Sequence, residues 1–118
     1  MSQRTERIGD LIRGELSELL RREMNDPRVQ LASISRVAVS PDLRQARVGV
    51  SVLGSETQRD DAVRALERAK GFLRHSLAHR LSLRVTPELH FELDRGAEHS
   101  RQIEDLLTRA REGEDDGS

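Results

Sequence analysis

The residues best placed to do chemistry lie between Glu67 and Glu88. Arg68, Lys70, Arg74, Arg80 and Arg84 fall in this interval with His75 and His79, and no acidic residue occurs from 68 to 87. Such a run of cations attracts polyanions, because association with nucleic acid begins by displacing counterions from phosphates. Gly71 interrupts the apolar pattern of a helix in the same stretch. A mid-helix glycine costs about 1 kcal/mol against alanine, so its presence marks a kink or a close approach of the backbone to another group. A break at Ala69, Lys70 and Gly71 would let a phosphate reach the backbone, with the N–H groups and dipole of the following helix directed at it. Lys70, Arg74, Arg80 and Arg84 would then hold neighbouring phosphates, the arginines as two-pronged donors. The plainer alternative is a tight helix junction with solvated arginines. The coincidence of kink and charge favours binding. Arg68 ranks lower, since it can pair within its own helix with Asp61.

Other chemistries find little support. His75 and His79 stand four apart, a spacing that can bind a metal, but the segment lacks the glutamate of a metalloprotease motif and no third ligand is evident. Glu92 and Asp94 share a strand face and could pair as acid and base, although charged residues on a solvated face are far commoner. There is no P-loop, and Ser35, Ser40 and Ser51 have no nucleophile context. With no cysteine in the chain, disulfides and thiolate sites are excluded. These features predict a protein that is not an enzyme and needs no cofactor.

The elements that must position the cations follow from periodicity. Ile8, Leu11, Ile12, Leu16, Leu19 and Leu20 recur at steps of three and four, predicting a helix over 5–24 that ends at Asn25-Asp26-Pro27. A strand over 31–39 has Ile34 out of phase with Val37 and Val39, the mark of a bulge or of two-sided burial. Ser40-Pro41-Asp42 turns the chain, and Ala46, Val48, Val50 and Val52 alternate with Gln45, Arg47, Gly49 and Ser51 along a second, antiparallel strand. Ser55 and Gln58 form a capping box opening a helix over 57–69, followed by another over 72–81. Leu89, Phe91 and Leu93 give a third strand. Ile103, Leu106, Leu107 and Ala110 suggest a weak last helix, and 112–118 has nothing to bury. The fold class is therefore α+β: a three-stranded sheet with helices on one face. Residues 1–94 would form the binding domain, 95–111 a helical extension and 112–118 a disordered acidic tail.

Composition agrees. The 118 residues suit one domain. The net charge of −1 hides a basic body and an acidic end: residues 1–87 carry sixteen Lys and Arg against eleven Asp and Glu, and residues 88–118 carry four against ten. No apolar run reaches the ~20 residues of a membrane span, and the N-terminus has no apolar signal segment, so a cytoplasmic protein is expected. Phe72 and Phe91 are the only aromatics, and both fall in apolar patterns that assign them to the core. Apart from Phe91 the sheet has no aromatic to offer for stacking bases, so contacts should be made with phosphate, sugar and helical shape.

In order and spacing the chain resembles the ribosome-binding factor A family from about Arg4 to Leu107. The resemblance rests on Arg4-Thr5-Glu6-Arg7-Ile8, Asn25-Asp26-Pro27-Arg28, the run from Val39 to Val48 and Ser51-Val52-Leu53-Gly54. It continues through Ala69-Lys70-Gly71-Phe72-Leu73-Arg74, Arg80 to Arg84, Pro87 to Phe91, and Asp94, Glu98, His99 and Ile103. It implies a type II KH-like domain whose phosphate-clamping loop is replaced by a kinked Ala-x-Gly junction, here Ala69-Lys70-Gly71. It also implies a monomeric bacterial cytoplasmic factor that binds the free small ribosomal subunit and its 16S rRNA near the 5′-terminal helix, late in maturation. Support of end processing, growth in the cold and release aided by a GTPase belong to the same implication. Lys70, Arg74, Arg80 and Arg84 are then the first candidates for RNA contact, with Arg44 and Arg47 on the hairpin and Arg4 and Arg7 on the first helix behind them. The alternative is a small basic module that binds an acidic protein.

Overall fold

The computed structural model describes residues 3–96. The chain begins with helix α1 (Gln3–Arg22), passes a 3₁₀ turn at Pro27–Val29, and forms strands β1 (Ala32–Val39) and β2 (Gln45–Val52). Helices α2 (Glu56–Arg68) and α3 (Lys70–Arg80) and strand β3 (Glu88–Leu93) follow. β2 is central, antiparallel to β1 and parallel to β3. The parallel step is possible because α2 and α3 carry the chain back across one face of the sheet. This is the KH-like α+β arrangement that the resemblance implies. The helix suggested over 103–110 and the acidic tail lie outside the described residues.

Each element has a local cause. α1 buries Gly9, Ile12, Leu16, Leu19 and Leu20 along one stripe. Leu11, counted with that stripe from spacing, is instead 49% exposed. Gly9 lies so close to β1 that a Cβ there would stand 2.5 Å from the Val37 carbonyl oxygen. Asp26 ends the segment after α1 by accepting from the Arg28 amide at 2.9 Å. The capping box of α2 is formed as expected: Ser55 Oγ accepts from Gln58 N, and Gln58 Oε1 accepts from Ser55 N. On β2, Ala46, Val48, Val50 and Val52 face the helices and meet Leu66, Leu73, Leu77, Leu89 and Phe91 in one core.

The out-of-phase Ile34 does mark a bulge, between Ile34 and Arg36. It sends the Ser35 hydroxyl to Asp94 Oδ2 at 2.7 Å. The bond crosses over Gly49 of β2, where a Cβ would stand 2.8 Å from Ser35 Oγ. The hairpin turn is held by Ser40, whose hydroxyl donates to Asp42 and accepts from Gln45 N. Leu43 takes the left-handed conformation there, with φ 64°, a region few non-glycine residues enter.

Candidate nucleic-acid interface

The break between α2 and α3 is a single residue. Ala69 has φ −88° and ψ 0° and no side chain caps α3. Gly71 therefore lies inside the first turn of α3 rather than at the break, and α3 begins two residues earlier than the expected 72. A Cβ on Gly71 would meet nothing within 4 Å. The fold does not need glycine here, so the tight-junction alternative loses its reason. What glycine leaves is an open approach to the backbone at the start of a helix, where N–H groups and dipole favour an anion.

That approach opens on a groove of about 240 Å³ between α3 and β3, lined by Lys70, Gly71, Arg74, Glu88, Leu89 and His90. The Arg74 guanidinium donates twice to the Thr86 carbonyl, at 2.8 and 3.2 Å, tying α3 to the loop before β3. A second cleft of about 210 Å³ begins at that loop and joins Arg4 and Ile8 of α1, Leu43 of the hairpin turn, and Arg84. Arg44 leads out of the same turn, and its carbonyl accepts from Glu88 N at 2.8 Å. Arg7 is exposed on the first turns of α1. Among the described residues, Arg4, Arg7, Arg44 and Arg84 make no ion pair.

Two of the anticipated contacts stand elsewhere. Arg80 turns to α1, 3.2 Å from Glu23 and 3.6 Å from Glu15. Arg47 is on the open sheet face, where it pairs with Glu92 at 3.0 Å; the same pair occupies a carboxylate weighed as an acid–base candidate. Arg68 has no ion pair among the described residues, so the partnership with Asp61 is not formed. His75 and His79 meet edge-on with Nε2 atoms 3.2 Å apart. Among the described residues no group of three or more His, Cys, Asp and Glu could hold a metal, and no helix is long and apolar enough to cross a membrane.

Glu67 organises the groove, and spacing alone did not single it out. Its Oε1 accepts from the Phe91 amide of β3 at 3.0 Å, and its Oε2 lies 3.2 Å from Lys70 Nζ. One carboxylate thus fixes α2 to the outer edge of β3 and restrains the first cation of α3. Burial alone would raise its pKa, but the Phe91 amide and Lys70 outweigh burial and lower it. The only signal in the sequence is its position three residues before Lys70 at the edge of the acid-free stretch. Phe72 is the second departure. Expected in the core with Phe91, it is 46% exposed, whereas Phe91 is buried.

Comparison with known proteins bears on the whole body. The family model described as ribosome-binding factor A matches residues 4–107. A ribosome-binding factor A from Nitrosococcus oceani is 43% identical over 114 residues, covering 97% of this chain and 90% of the relative. The crystal structure of ribosome-binding factor A from Thermus thermophilus superposes with a TM-score of 0.70 at 29% identity, over 78% of this chain and 98% of that one. A Thermus thermophilus ribosome-binding factor A homology model, fitted into the cryo-EM map of a complex with the 30S subunit, gives 0.65 at 30% identity over 76% and 94%. With the family model spanning the helices, the sheet and the Ala69–Gly71 junction alike, the chain belongs to the ribosome-binding factor A family.

Proposed function

We propose that this protein is a non-catalytic assembly factor that binds the free small ribosomal subunit and assists late maturation of its 16S rRNA, near the 5′-terminal helix. The groove between α3 and β3 is the surface that takes the RNA backbone. The observation that carries this reading is Gly71: in a family with a member fitted into a 30S complex, it keeps a helix start open beside Lys70 and Arg74 where packing asks for no glycine. A phosphate seated there would receive backbone N–H groups, the Lys70 ammonium and the outer edge of the Arg74 guanidinium. Arg84, Arg4 and Arg44 extend the cationic path along the neighbouring cleft. In this reading the protein acts as a cytoplasmic monomer, is released with the help of a GTPase and serves growth in the cold.

The test is co-sedimentation with small subunits, large subunits and complete ribosomes at several salt concentrations. Selective binding to free small subunits is expected, with the logarithm of affinity falling by roughly 0.9 per logarithm of salt for each duplex-like phosphate neutralised. Lys70→Glu with Arg74→Glu should weaken that binding while the melting curve stays cooperative. Unchanged binding in this variant would refute the surface. Binding indifferent to salt would point to a protein partner.

A further inference from the structure

Phe72 is one of two aromatic side chains in 118 residues, and the fold leaves it 46% exposed. It follows Gly71 on the first turn of α3 and opens on a separate, wide groove of about 690 Å³ formed with Met24, Asn25, Pro27 and Ala69. An aromatic ring left in water gives up stabilisation that burial would bring. Beside the cations of α3 such a ring can stack an unpaired base splayed out of its helix. We propose that Phe72 is a stacking platform for one unpaired base of the bound RNA, with a flanking phosphate held at Lys70 and Gly71 on the same helical turn. The inference rests on the RNA-binding reading above and adds base contact to it, where sequence alone led to phosphate, sugar and shape.

The surroundings favour a nucleotide over an apolar peptide. Arg68, Lys70 and the open backbone of Gly71 lie within four residues of the ring. The two carboxylates of the groove are already engaged, Glu23 with Arg80 at 3.2 Å and Asp26 with Arg28 at 2.6 Å, so neither presents unpaired negative charge to a phosphate. Asn25 supplies an amide donor and acceptor for a base edge. Met24 and Pro27 add apolar lining to the groove beside the ring.

The experiment compares Phe72→Tyr, Phe72→Leu and Phe72→Ala in the full chain by co-sedimentation with free small subunits, beside the Lys70→Glu, Arg74→Glu variant. Tyrosine should bind like the parent, while leucine and alanine lose roughly 5- to 150-fold in affinity, the range for one stacked base, with the salt slope unchanged. Full binding by both Leu and Ala variants, alongside loss in the charge-reversal variant, overturns the platform and leaves the phosphate surface standing. Full binding by the Leu variant with loss in the Ala variant assigns the groove to an apolar protein side chain and also overturns it. A second readout does not depend on affinity. The chain has no Trp and no Tyr, so Phe72→Trp introduces the sole indole. Its emission should be quenched saturably by protein-free 16S rRNA at low salt. Binding of that RNA without change in emission overturns the proposal, as does failure of every variant to bind RNA while small subunits are still bound.

Discussion

Glu67 couples the stability of the domain to the charge that the proposed surface would offer RNA, and the two can be separated. In Glu67→Ala the Phe91 amide loses its acceptor at 3.0 Å. A hydrogen bond to a charged group is worth about 1.5–3 kcal/mol; with the Glu67 side chain 38% exposed, the lower half of that range applies. The half-exposed pair with Lys70 adds less than ~1 kcal/mol. The loss should therefore be about 2 kcal/mol, which for a domain of this size lowers Tm by roughly 8–16 °C. Glu67→Gln keeps a carbonyl oxygen facing Phe91 and should cost only about 1 kcal/mol. Both substitutions release Lys70, so both should bind small subunits more tightly, with a salt slope steeper by up to about one phosphate. Urea titration with an unchanged m-value and co-sedimentation across salt measure the two effects. A Gln variant as unstable as the Ala variant would refute the amide bond as the cause. Weaker subunit binding by the Gln variant would refute the competition between Glu67 and phosphate for Lys70.

Gly71→Ala should be neutral or more stable by about 0.5–1 kcal/mol, since the new methyl meets nothing and alanine is the better helix former, yet should bind small subunits more weakly; equal binding would show that no phosphate approaches the backbone there. Arg80→Ala should destabilise by about 1–3 kcal/mol, because Glu15 Oε2 is buried with no hydrogen bond and, among the described residues, pairs with this cation alone; adding Glu15→Gln should recover part of the loss in a double-mutant cycle. Acid should weaken the fold through Asp26, held at about 2 by its hydrogen bonds from Arg28, and Glu56, held at about 2 chiefly by Arg95. Their folded pKa values lie below the ordinary carboxylate values, so their contribution is complete above about pH 4.5 and disappears as pH falls through about 2. Urea midpoints measured from about pH 5 to about pH 2 should decline over that window, and less steeply in Glu56→Gln.

Periodicity made most of the fold legible because α1, β2, α2 and β3 each bury one face and so write their geometry into the spacing of Leu, Ile and Val. The Ser55–Gln58 box and the bulge at Ile34 were readable for the same reason, since each is a short local pattern. What stayed hidden depends on contacts distant in sequence. Nothing near Glu67 signals that Phe91 will need an acceptor, because the bond exists only once β3 lies parallel to β2. Phe72 was misassigned because its apolar neighbours Leu73 and Leu77 continue a buried stripe, while position 72 falls about 100° away from Leu73 around the helix. The cation cluster was visible as composition, but its division between groove, cleft and α1 is a property of tertiary structure.

That division sets what the basic stretch can do. A run of arginines in sequence suggests one continuous charge, yet the fold commits Arg80 to Glu15 and Glu23, fastening α3 to α1. Arg74 secures the loop that carries Arg84 through the Thr86 carbonyl, and Lys70 is restrained by Glu67. The cations of the proposed surface are therefore partly engaged already, so a phosphate seated there would have to displace Glu67 from Lys70 and share Arg74 with Thr86. Exposed ion pairs are individually weak, so the exchange costs little at Lys70. At Arg74 a phosphate can share the guanidinium without displacing Thr86, because five N–H donors are available and the carbonyl takes only two. A surface built this way favours an anion that fits the open backbone of Gly71, and it draws nothing comparable from diffuse negative charge. If the proposed surface is the one that takes the subunit, Glu67 is an intramolecular partner ready to reclaim Lys70 when that contact loosens.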